Sequence, residues 1–326
     1  MSATLAWQNS GLGAKTGTTV AAAIADIATL VSSKSGDAAF LWAVASSSTA
    51  ASPNYVVLKR KSGAAGRILI ACWTSAPAGN NAAILDAAPT SNALYIAFFP
   101  AGNVDTPSNL TASSGTIMGD DTGAVKVSAS CAVSSAYAAL LQPFYFDSAE
   151  AVFFGFQNPA ASTSLYGFGA GYLLVDAADN EYAATVSFGS TALHNFGQTT
   201  SGMGWTTTAQ VAGSSSTPHV RTNYGAAGRA YFGAYAPAGL WASQATGPTD
   251  ILTDTSLSRA YFVPFQLLGQ AKGEGFALKL RQIAFGPGTT GAFSAYNTTG
   301  PVVAARQFNA TTTGGGGFPW FTNFKI

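Results

Sequence analysis

The sequence predicts a mainly β protein, built from antiparallel β-sandwich or jelly-roll-like units with one amphipathic helix near the N-terminus. Two observations carry this. Only residues 18–34 show an apolar repeat at helical spacing. After Gly36, short runs rich in Val, Ile, Tyr, Phe and Trp alternate with clusters of Gly, Pro, Ser, Asn and Thr, the pattern of many short strands. Strand runs without helices between them point to packed antiparallel sheets and away from a parallel α/β fold.

The elements follow in order. A few strand-like residues, "TLAW", precede "NSGLGAKTGTT" at residues 9–19, which has the look of a phosphate-binding loop. That loop needs G-x-x-x-x-G-K-[ST], whose glycines turn backbone amides inward and whose Lys reaches the phosphates. Lys15 and Thr16 are present, but Ala14 and Asn9 occupy the two glycine positions, and no α/β alternation follows. The stretch is therefore read as a loop and cap. It delivers a helix whose apolar stripe is Val20, Ile24, Ile27 and Val31, with Thr18 or Thr19 capping its start and Gly36 standing where a left-handed terminator belongs.

Downstream, the strand candidates are residues 38–46, 54–61, 66–73, 92–99, 125–130, 139–146, 150–157, 164–176, 229–235, 259–268 and 276–285. A weak echo relates "GAAGRILIACWTSAPAG" from Gly63 to "GAAGRAYFGAYAPAG" from Gly225, consistent with two similarly built units or with one hairpin design used twice. The expected organisation is an N-terminal segment over 1–36, a first β unit over 37–140 and a second over 141–326. The second ends in an aromatic tail with Phe318, Trp320, Phe321 and Phe324. A tail this apolar is expected to dock, into its own core or into a neighbour.

Composition narrows function. Charged residues make up only 9% of the chain, against about 25% in a typical globular domain. So few charges cannot cover an exposed surface, which predicts burial against other chains: a homo-oligomer or a component of a larger shell. The net charge of +1 offers no basic footprint for nucleic acid. Lys59, Arg60 and Lys61 read as the solvated flank of a hairpin turn. No apolar run is long enough for a membrane span, and the N-terminus lacks the basic and apolar regions of a signal peptide, so a cytoplasmic site of synthesis is expected.

Catalytic readings find little support. Cys72 and Cys131 are expected as buried free thiols, too few for a zinc site. His194 and His219 are read as isolated loop residues, and no G-x-S-x-G elbow occurs. "MGDDTG" at residues 118–123 and "DAADNE" at 176–181 read as turn chemistry rather than as paired catalytic carboxylates or a calcium loop. No enzyme activity, cofactor or metal is expected. The 12% of aromatic residues lie mostly within strand runs, where core and interface packing is the simpler explanation.

Four stretches, "AKTGTTVAAAIADIATLVSSKSGDAAFLWAVASSS", "YVVLKRKSGAAGRILIACWTSAPAGNNAAILDAAP", "FPAGNVDTPSNLTASSGTIMGDDTG" and "PFYFDSAEAVFFGFQNPAAS", resemble virion structural proteins of tailed bacteriophages. The resemblance covers the first half of the chain and brings no catalytic motif. It implies a β-rich particle component, assembled in the bacterial cytoplasm, located in the tail or neck rather than as capsid decoration. Its partners would be itself and other virion proteins. The resemblance carries over no residue-level site; the assembly or docking residues expected from apolar patterning alone are Val20, Ile24, Ile27, Val31, Phe318, Trp320, Phe321 and Phe324. The alternatives are a tail module that binds a host receptor or glycan through loop aromatics such as Trp205 or Trp241, and a polysaccharide depolymerase.

Overall fold

The computed structural model describes residues 4–6, 20–38, 40–50, 52–73, 93–126, 129–132, 142–157, 165–176 and 178–188. Beyond these it describes the strands 194–196, 219–222, 230–232, 253–254, 259–260, 263–271, 274–286, 305–307 and 318–322. In chain order the elements begin with β1 (Thr4–Ala6), α1 (Val20–Ser33), β2 (Trp42–Ser48), β3 (Asn54–Arg60), β4 (Arg67–Trp73) and β5 (Ala93–Phe99). They continue with β6 (Val125–Lys126), β7 (Ala129–Ala132), β8 (Gln142–Asp147), β9 (Ala151–Gln157), β10 (Leu165–Val175), β11 (Glu181–Phe188), β12 (His194–Phe196), β13 (His219–Thr222) and β14 (Ala230–Phe232). The last are β15 (Thr253–Asp254), β16 (Arg259–Ala260), β17 (Val263–Ala271), β18 (Glu274–Gly286), β19 (Ala305–Gln307) and β20 (Phe318–Thr322). The described chain is mainly β, with antiparallel sheets and one short helix, as its patterning predicts.

One sheet runs β12-β7-β5-β4-β3-β2, with β6 also on β5. Its centre is a meander of sequential strands, and the β3–β4 turn places Gly63 and Gly66 at positive φ. The other sheet runs β1-β8-β9-β10-β11-β13-β14, and β18 joins it on β10, carrying β17 and β20. β10 is bulged between Gly171 and Leu174. Gly171 has φ +138 and packs so closely on the Glu150 carbonyl and Ala151 that no β-carbon fits there.

Side-chain alternation sorts the first sheet into two faces. The inner face presents Val56, Leu58, Ile68, Ile70, Cys72, Ile96 and Phe98, which share one core with Tyr145, Val152, Phe154, Ala170 and Ala183 of the second sheet. Helix α1 closes that core with Ile24, Ile27, Leu30 and Val31, all essentially unexposed. Burying each contributes roughly 1.5–3 kcal/mol. Leu30 makes the buried face wider than the stripe read from the sequence. The outer face, Val57, Leu69, Ala71, Trp73, Tyr95, Ala97 and Phe99, is covered by Leu110, Ile117 and Met118 from the segment between β5 and β6. Every residue of β4 is thus buried, which is why "RILIACW" reads as an unbroken apolar run rather than an alternating one.

Several details differ from the sequence reading. Gly36 is not left-handed; the helix unwinds through successive three-residue turns, with Lys34 N–H donating to the Val31 carbonyl and Ser35 N–H to that of Ser32. The run 125–130 divides into β6 and β7, and 259–268 into β16 and the start of β17. The strand β11, "EYAATVSF", was not among the expected ones, because its Ala, Ser and Thr residues dilute the apolar alternation. The inner core joins residues on both sides of the boundary expected after 140, and β1 pairs with β8 while β12 pairs with β7. Thr18 and Thr19 lie outside the described residues, as does the second GAAG stretch apart from β14.

Candidate functional site

Where β2 begins, the two sheets and the helix meet around one buried carboxylate. Asp147, the last residue of β8, is fully buried. It accepts hydrogen bonds from the Leu41 N–H at 3.0 Å, the Trp42 N–H at 2.9 Å and the Tyr145 hydroxyl at 2.8 Å. The next carbonyl, Ser148, accepts from Trp42 Nε1 at 2.7 Å. Burial pushes the Asp147 carboxyl up to about 6, against the opposing pull of the Tyr145, Trp42 and Leu41 donors and of the Lys61 charge. Tyr145 is driven well above its ordinary value, first by burial and then by the neighbouring carboxylate.

The cations of "KRK" part company: Arg60 and Lys61 lie on the side of this clasp, Lys61 exposed as expected of a turn flank, while Lys59 lies on the other face of the sheet. Strand alternation sends Lys59 and Arg60 to opposite faces. Arg60 lies on the inner side, its guanidinium carbon 5.5 Å from the Trp42 ring and 5.3 Å from the Tyr172 ring. Its Nε is buried without a hydrogen-bond partner among the described residues. Just past the strand, Lys61 Nζ donates to the carbonyls of Lys34 and Asp37, tying down the segment that follows the helix.

On the outer face Lys59 Nζ meets Asp105 Oδ2 at 2.5 Å, and Arg67 donates to Asp105 Oδ1 from Nη2 at 3.0 Å. Lys59, and with it Arg67, holds the Asp105 carboxyl below its ordinary range. This pins the segment over residues 103–124 to the sheet it covers. Farther along the same segment, Asp121 accepts from the Ile117 and Met118 N–H groups, and Asp120 from Thr122. Asp176 likewise accepts from Ala178, Asn180 and the Tyr182 hydroxyl. Both acidic clusters therefore organise turns, in keeping with the sequence reading.

The expected docking residues divide by location. Ile24, Ile27 and Val31 face the chain's own core, and Thr29, Ser32 and Ser33 are exposed among the helix residues whose burial is described. Val20 is the first residue of α1. Phe318, Trp320 and Phe321 lie in β20, whose backbone pairs with both β18 and β19, setting Phe321 opposite Ile283 and Arg306. Phe324, Trp205, Trp241 and Lys15 lie outside the described residues.

No protein-family model, curated protein or solved structure matches the chain. What the site can do is therefore read from its own chemistry. Cys72 is a free thiol whose burial pushes it up to about 12, unsuited to nucleophilic work. His194 and His219 begin short strands in different sheets, rather than lying in loops. Among the described residues no group of three His, Cys, Asp or Glu is placed to hold a metal ion, and no helix is long and apolar enough to cross a membrane. The polar groups of the clasp and of the Asp105 tie are mostly engaged with one another and join elements of the described chain. The sequence signals missed were the alternation of Lys59 and Arg60 and the acid that closes the aromatic run "PFYFD".

Proposed function

We propose that the chain is a non-enzymatic structural component of a tailed-phage virion, in the tail or neck rather than as capsid decoration. It self-assembles and docks to other particle proteins after synthesis in the bacterial cytoplasm. The two sheets around the inner core are read as a β-sandwich whose remaining surface serves contacts between chains.

One observation carries the reading. The chain has 15 Lys and Arg and 14 Asp and Glu. From this small set Lys59, Lys61, Arg67, Asp105, Asp121 and Asp147 are engaged in ties within the chain. Of these, Arg67 and Asp147 are buried, so the charge left to the surface is smaller still than the composition gives. A large surface with so little charge suits an obligate assembly, whose interfaces resemble a core cut in half. Resemblance to virion proteins in the first half of the sequence supplies the setting.

The test is light scattering on the purified chain, together with imaging of particles labelled by an antibody against it. Oligomers in solution and label on the tail or neck are expected. A chain that stays monomeric and soluble at high concentration would overturn the proposal.

A further inference from the structure

We draw no further inference here: the strongest candidate, the Arg60 guanidinium held between the Trp42 and Tyr172 rings at the end of β3 with its buried Nε unpartnered, carries nothing because nothing in the structure shows what covers it.

Discussion

Asp147 binds the start of β2 to the end of β8 and does so at an electrostatic cost. Its carboxyl lies near 6 in the folded chain because burial disfavours the charged form. A carboxyl raised in this way contributes stability below its ordinary value, near 4, and that contribution is lost as the pH rises through 6. The displacement from 3.8 to about 6 corresponds to roughly 3 kcal/mol. Denaturant unfolding between pH 4 and 7 should therefore show the native chain losing stability relative to Asp147→Asn, which cannot ionise. Parallel pH profiles for the two would refute the assignment. The sequence showed an aspartate following an aromatic strand. It could not show that residues 41 and 42, more than a hundred positions away, supply the donors, because such partners are set by tertiary packing. The separation of Lys59 and Arg60 was there to be read, since strand alternation alone places neighbouring side chains on opposite faces, but reading the three cations as one solvated flank passed over it.

The segment between β5 and β6 shows how an element without regular secondary structure can complete a core. It lays Leu110, Ile117 and Met118 on the outer face of the sheet and is tied at its start by Asp105. Asp105→Ala should cost about 1 kcal/mol, because the carboxylate is partly exposed and the ion pairs are screened. Its larger effect should be local: amide exchange within residues 103–124 should accelerate while β3 and β4 remain protected. Equal protection in both proteins would remove Asp105 from this role. The helix was legible from its period, and the central strands from their β-branched and aromatic runs. The cover was not, because "NVDTPSNLTASSGTIMGDDTG" has turn composition and only three apolar residues that prove to be anchors.

For the described part of the chain as a whole, long-range pairing decides the architecture. The meander β2 to β5 follows from sequence order, but β1 on β8, β12 on β7 and β18 on β10 join distant segments. Nothing in local patterning specifies those pairs. The shared inner core makes a prediction about autonomy. A fragment of residues 37–140 lacks both α1 and the layer formed by Tyr145, Val152 and Phe154, so its inner face would be bare. Expressed alone, it should show no cooperative thermal transition by circular dichroism. A sharp transition would establish it as an independent domain.

The pairing of Thr4 with Asp147 also orders events in time. During synthesis the meander can begin to form from local contacts, whereas β1 must wait until β8 has left the ribosome. Contacts of such long sequence separation close slowly, because the loop entropy is lost before any pairing compensates for it. Strand β1 is translated before its partner β8 and is thus among the later strands to find its place, and until the second sheet arrives the inner face of the meander, Trp42 and Phe98 included, has no cover from it.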